Sequence, residues 1–193
     1  MRILKLPTFL VAGAICLAQK AAPPSGLRLT EDEIGVYKVF LHNYAKDATE
    51  PVNLGNRLTR LELSDVAGDG CLQGLSLQKV EPSRSANYRF SADLVSGTNV
   101  RVVDPEQQAS VVKDNDPGTK LRSGDAVGDA VKSGFATGLL QVSEIAFERG
   151  HQHAVLEFGF HCGVLCGHGG TLVFEKVKGQ WRETKRVCSV WKA

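Results

Sequence analysis

The sequence predicts an α+β fold, in which helices pack on an antiparallel β-sheet with a C-terminal four-stranded β-meander, stapled by disulfides. Three observations predict it. Apolar and mostly polar residues alternate from Ala154 to Cys162, the period-two pattern of a half-buried strand. Helix start signals stand earlier in the chain, at Thr30 and Asp104. Of the five cysteines, all but Cys16 follow the N-terminal apolar segment, which leaves an even number for bridges.

The meander is predicted from runs of strand-forming residues that are separated by turn residues. Residues 148–150 close the first run and residues 178–179 close the third, and glycine turns between such runs are typical of hairpins. The second and third runs are joined by loop 161–170, which contains two cysteines and four glycines. The four strands are therefore expected at residues 142–147, 154–162, 171–177 and 181–191.

The first helix is predicted from its start signal. Thr30 and Glu33 form a capping-box pattern, and the helix is expected to end near Lys46. Apolar residues recur at helical spacing between these points, and we interpret the stripe as core packing. The stripe comprises Ile34, Tyr37, Phe40, Leu41 and Tyr44.

Weaker signals predict further secondary-structure elements in the middle of the chain. Residues 57–63 alternate loosely and 99–103 more clearly, which indicates strands. Asp104 before Pro105 starts a further helix that stops before Asn115. Another helix is expected over residues 125–135, with one apolar face formed by Val127, Ala130, Val131 and Phe135.

The N-terminus indicates export. Arg2 and Lys5 precede a short apolar run with small residues near Ala18, the pattern of a secretory signal peptide. The run is too short for a membrane span, and a lipoprotein would need a small residue where Ile15 stands. We therefore expect a secreted or periplasmic protein. Its parts are a signal peptide over residues 1–18, a flexible lead over 19–26 and a single α+β domain over 27–193.

The charge balance argues against one class of partner. Loss of residues 1–18 removes two basic residues and no acidic one, so that 21 Lys and Arg balance 21 Asp and Glu. Nucleic-acid binding depends on a basic surface that releases counterions, and this sequence supplies none. The expected partner is an envelope or extracellular protein or a small ligand, with no nucleic acid and no membrane span.

The cysteines allow three pairings. Cys162 and Cys166 lie close enough in the chain to close a short glycine-rich loop, which leaves Cys71 with Cys188. The chain-entropy model assigns about 2 kcal/mol to the short closure and about 5 kcal/mol to the long one. Cys71 follows a glycine turn and could instead be a nucleophile at a helix start. No cysteine-protease signature surrounds it, so the disulfide is preferred.

The histidines are the one concentration of functional groups in the sequence. Four of the five fall between residues 151 and 168. The candidate binding residues are His151, His153, His161 and His168. If they lie on one strand, the first three share one face of the sheet. We interpret that face as a solvated or partly covered polar surface.

A zinc site built from His161, Cys162, Cys166 and His168 is the alternative to a disulfide in the loop. Neighbouring strand residues point to opposite faces, and the cysteine spacing is wider than in Cys-x-x-Cys sites. We therefore expect a disulfide there, with no metal and no cofactor.

The motifs of several enzyme classes are missing. The sequence contains no nucleophile elbow, Walker loop, dinucleotide fingerprint or His-Glu-x-x-His. The preferred hypothesis is a non-catalytic binding or interaction module. The alternative is a hydrolase or metal-dependent enzyme that uses the histidine-rich face and loop 161–170.

Several segments together resemble a family of exported bacterial proteins. The similar segments are Cys162-Gly163-Val164-Leu165-Cys166-Gly167-His168-Gly169-Gly170, Gly179-Gln180-Trp181, a closing Trp191, and upstream Gly70-Cys71-Leu72 and Val103-Asp104-Pro105. The resemblance covers most of the expected mature chain. It implies export, the double-cysteine loop and an α+β fold, and it carries over no activity and no catalytic residue.

Overall fold

The computed structural model describes residues 28–61, 70–78, 80 and 88–193. The expected signal peptide and flexible lead lie outside the described residues. The helices are α1 (Glu31–Ala45), a 3-10 helix (Ala92–Val95), α2 (Pro105–Asp114), α3 (Pro117–Arg122) and α4 (Val127–Thr137). The strands are β1 (Val52–Gly55), β2 (Val100–Val103), β3 (Leu139–Phe147), β4 (His153–Gly163), β5 (Cys166–Val177) and β6 (Gln180–Lys192).

The strands form a six-stranded sheet in the order β2-β1-β3-β4-β5-β6. Strands β3 to β6 are consecutive and antiparallel, which confirms the predicted C-terminal meander. The α+β fold with two cysteine bridges is likewise confirmed.

The sheet is mixed and not purely antiparallel, because β1 pairs in parallel with both β2 and β3. Parallel strands of one sheet need a long crossover, and helices α2 to α4 form the crossover from β2 to β3, which lie on either side of β1. The expected strand at residues 57–63 is reduced to single bridges at Arg57 and Thr59, with residues 62 and 63 outside the described part.

Helix α1 covers one face of the meander. Its capping box is formed as predicted, with the Glu33 backbone N–H donating to Thr30 Oγ1 at 3.3 Å. Tyr37 and Phe40 are fully buried, and the Tyr37 hydroxyl donates to the Ser143 carbonyl at 2.8 Å. The buried stripe stabilises the helix by apolar burial, on the order of 2 kcal/mol for each large side chain.

The first turn of α1 is also anchored to the β5–β6 hairpin. The Asp32 carboxylate accepts hydrogen bonds from Lys176 Nζ at 2.5 Å and from Trp181 Nε1 at 3.0 Å. Gly35 lies directly against the Trp181 indole, where a Cβ would be 2.7 Å from a ring carbon. These contacts fix the position of α1 along the sheet and hence the position of its last turn.

A smaller apolar cluster lies apart from the main core. Val155, Val173 and Cys188 are buried there, and residues 71–77 pack against them. The Cys71–Cys188 bridge joins this segment to β6, with the two Cα atoms 5.9 Å apart. Cys162 and Cys166 form the other bridge, with Cα atoms 5.0 Å apart. Both pairs are those expected from the sequence.

The apolar face predicted for residues 125–135 is not the buried face of α4. Ala130 and Gly134 are buried, whereas Val127, Val131 and Phe135 are 66%, 42% and 54% exposed. A Cβ at position 134 would be 2.6 Å from Pro117, so the helix packs tightly through its small residues. This packing directs Phe135 away from the core and toward a surface cleft.

None of the helices in the described ranges is both long and apolar enough to cross a membrane.

Candidate functional site

A cleft of about 460 Å³ opens at the end of the sheet that carries the Cys162–Cys166 loop. One wall is the end of α1 and the loop that leads into β1, from Tyr44 to Val52. The opposite wall is the C-terminal half of α4, with Lys132 and Phe135. Small-molecule sites commonly have this size and this mixture of apolar and polar lining.

The α1–β1 wall is held in place by Asn99. The Asn99 side-chain amide donates to the carbonyls of Ala48 at 2.8 Å and Glu50 at 3.3 Å. The Val52 backbone N–H in turn donates to the Asn99 carbonyl at 3.0 Å. Three hydrogen bonds to one residue therefore define the path of this loop.

The α4 wall is held by the buried Asn53. Its amide donates to the carbonyls of Ala136 at 3.2 Å and Gly138 at 2.9 Å, at the end of the helix. Arg101 Nε donates to Asn53 Oδ1 at 3.0 Å and so satisfies the amide oxygen. Gly138 has no side chain, and a Cβ there would overlap the Phe160 ring in the cleft floor.

The floor is an aromatic cluster with one polar pair in it. Tyr44 Oη and His168 Nε2 are 3.0 Å apart, and the two rings stack with centroids 5.9 Å apart. The Phe160 ring lies 5.3 Å from His168 and 5.7 Å from Phe135. The Phe158 ring lies 6.1 Å from the imidazole, so Tyr44, Phe158 and Phe160 surround it.

Both members of this pair are held in their neutral forms. Burial lowers the pKa of His168, and the charges of Lys192 and His161 lower it further. Burial raises the pKa of the Tyr44 hydroxyl. At neutral pH the cleft floor thus presents a neutral imidazole that is hydrogen-bonded to a neutral phenol, and the hydroxyl oxygen keeps at least one lone pair for a further hydrogen bond.

Only one of the four predicted histidines lies in this cleft. His161 is exposed and packs against Trp191, with ring centroids 5.2 Å apart. His161 pairs with Gly167 in the sheet, whereas His168 pairs with Phe160, so the two imidazoles lie on opposite faces.

The other two histidines lie at the far end of the meander. His153 and His161 are separated along β4 by about 27 Å at about 3.4 Å per residue. His151 belongs to no strand; it lies in the turn with φ 51° and stacks on Phe147 at 4.8 Å. His153 Nδ1 is 2.7 Å from Glu148 Oε2. The expectation of one face shared by His151, His153 and His161 is therefore wrong, because His151 falls outside the strand.

The expected loop 161–170 is mostly strand, because β4 extends to Gly163 and β5 begins at Cys166, and the short turn between them is held by the disulfide and by a buried carboxylate. Asp116 caps α3, accepting from the Thr119 N–H at 2.8 Å, and also accepts from the Val164 N–H at 2.7 Å. These backbone hydrogen bonds, that from Val164 first, lower the pKa of Asp116. Val164 and Leu165 are each 85% exposed at the tip. Cys162 and Cys166 serve as a structural bridge here.

Among the residues that the structure describes, no group of three or more His, Cys, Asp or Glu side chains is arranged to hold a metal ion.

The sequence did not single out the other residues of the cleft. Tyr44 was interpreted as core, yet it is only half-buried and its hydroxyl reaches the cleft. Phe135 and Phe160 come from elements that periodicity treats as core-facing. A long-range contact between Tyr44 and His168, 124 residues apart in the chain, leaves no local signal.

Comparison of the chain with protein-family models, with curated proteins and with solved structures finds no match.

Proposed function

We propose that this is an exported protein that binds a small amphipathic molecule in the cleft between α1 and α4. The observation that carries the proposal is the neutral Tyr44–His168 pair on the aromatic floor of a 460 Å³ cleft. Burial of apolar ligand surface against rings supplies affinity, and a few fixed polar groups supply orientation.

The walls support binding because hydrogen bonds within the protein fix them. Asn99 fixes one wall and Asn53 the other, each through hydrogen bonds to backbone carbonyls. A preformed cleft loses less conformational entropy on binding than a mobile one. Phe135 is 54% exposed, so its ring offers apolar surface that a ligand in the cleft would bury.

The cleft favours binding over the hydrolase alternative. His168 is within hydrogen-bond distance of the Tyr44 hydroxyl, which would be the nucleophile that it could activate. The raised pKa of Tyr44 makes its phenolate scarce at neutral pH and so opposes that role.

Export is supported by the N-terminal pattern together with the two bridges, which persist in oxidising compartments. We expect mass spectrometry of the protein from culture medium or envelope to show a chain that begins near Gln19. Recovery of a soluble form that retains Met1 would contradict export.

Binding is tested by NMR with the oxidised protein and a set of small aromatic amides and alcohols. We expect amide shift changes around Tyr44, Phe135 and His168. The His168→Asn variant should lose about tenfold in affinity, because it removes the imidazole ring from the cleft floor and the hydrogen bond that orients the Tyr44 hydroxyl. His161→Asn, on the opposite face, is the matched control and should bind as the wild type does. Equal losses in the two variants, or shift changes remote from the cleft, would contradict the proposal.

A further inference from the structure

The mouth of the cleft carries charges of opposite sign on opposite walls. Asp47 and Glu50 stand on the α1–β1 wall, and Lys132 stands on α4. All three are exposed, and within the described ranges none of them forms an ion pair. The cleft therefore has an acidic side and a basic side, and these charges do not neutralise each other directly.

The floor between the two sides is uncharged. The Tyr44 hydroxyl and His168 Nε2 are hydrogen-bonded to each other at 3.0 Å, and the hydroxyl oxygen keeps at least one lone pair that can accept from an amide N–H of a ligand. The rings of Phe135 and Phe160 lie beside them and offer an apolar surface. A ligand that spans the cleft thus meets acidic groups on the α1–β1 wall, neutral polar and aromatic groups on the floor, and a basic group on the α4 wall.

From this order of groups we propose that the ligand is a short zwitterionic peptide with an apolar side chain. Its ammonium group lies toward Asp47 and Glu50, and its carboxylate lies toward Lys132. Its amide meets the Tyr44–His168 pair, and its side chain packs on Phe135 and Phe160. This inference rests on the proposed function, since it names the ligand of the same cleft.

Matched derivatives of one dipeptide test the inference by calorimetry. The probes are phenylalanyl-alanine, its C-terminal amide, its N-acetyl derivative and the N-acetyl amide. We expect the free dipeptide to bind most tightly, and loss of either terminal charge to weaken binding about tenfold. Lys132→Gln should abolish the preference for the free carboxylate and leave the preference for the free amine. The combined Asp47→Asn and Glu50→Gln variant should do the reverse.

Lys113→Gln is the control for Lys132→Gln, because Lys113 is an exposed lysine in the last turn of α2. It should leave all four affinities unchanged. Equal binding of the four probes, or a preference for the free carboxylate that persists in Lys132→Gln, would contradict a zwitterionic ligand. The proposal that the cleft binds small molecules would still stand. If the dipeptides fail while other small aromatic compounds bind the cleft, only the peptide inference falls. If nothing binds the cleft, the proposed function falls with it.

Discussion

Removal of the Cys71–Cys188 bridge is expected to lower the free energy of unfolding by about 5 kcal/mol in the chain-entropy model. The bridge spans 117 residues of sequence, so its loss frees a large part of the unfolded chain. Removal of Cys162–Cys166, which spans four residues, should cost about 2 kcal/mol on the same model. Alanine pairs are the suitable replacements, because Cys188 is buried and a serine there would add an unpaired hydroxyl.

The measurement is urea unfolding followed by circular dichroism, for the Cys71→Ala/Cys188→Ala and Cys162→Ala/Cys166→Ala variants and the wild type. The packing around Cys71 also predicts that loss of Cys71–Cys188 lowers stability more than loss of Cys162–Cys166. Residues 71–77 pack on Val155 and Val173, and the bridge holds this segment on the sheet together with backbone hydrogen bonds at Ser76 and Gln78. Equal losses in the two variants would show that closure of the long loop is not the dominant effect.

Gly169→Ala is expected to lower the free energy of unfolding by about 2–3 kcal/mol through overpacking. The Trp191 indole lies flat on β5 at this position. A Cβ on residue 169 would be 2.5 Å from Trp191 Nε1 and 2.5 Å from the Phe158 carbonyl oxygen. Because one of these neighbours is backbone, the strand cannot relieve the contact by rotating a side chain.

Gly159→Ala is the matched control, since Gly159 pairs with Gly169 beneath the same indole. Its Cβ would be 3.2 Å from His161 Nε2 and 3.5 Å from Trp191, and flexible side chains can yield there. We expect it to cost less than about 1 kcal/mol. A loss at Gly159 as large as that at Gly169 in urea unfolding would contradict this account of the glycine-rich strand.

Local signals in the sequence were sufficient for much of the fold. Thr30 and Glu33 are neighbours on one helical turn, and Asp104 caps the next residues of its own helix. Each motif therefore depends only on contacts between residues that are close in the sequence. The alternation from Ala154 to Cys162 likewise needs only the strand and the core beneath it.

Strand β1 had no such signal. It has four residues, and its second residue is the buried Asn53, whose amide makes long-range hydrogen bonds to the end of α4. From the sequence alone, a polar residue is expected at the surface or in a loop, because its buried hydrogen-bond partners are not known. The parallel pairing of β1 was missed for the same reason.

The site was predictable only in part. Parity along β4 gives the face on which His153 and His161 lie, but not what stands opposite each residue. His168 could be singled out because it is a histidine in an unusual loop. Its partner Tyr44 is in the helix at the other end of the described chain, and only the packing of α1 on the sheet brings them together. Phe135 is exposed because the small residues Ala130 and Gly134 lie on the buried face of α4.

The two bridges also differ in when they can form. Synthesis proceeds in chain order, so Cys71 emerges 117 residues before its partner, whereas Cys162 waits for only four more residues. At typical elongation rates the first interval is on the order of ten seconds. Ring closure over four residues brings Cys162 and Cys166 together more often than either meets a distant cysteine, because the entropy lost on closure grows with loop length. Local pairing of these two thiols leaves Cys71 and Cys188 as partners for each other, so the bridge with the smaller effect on stability favours correct pairing of the other.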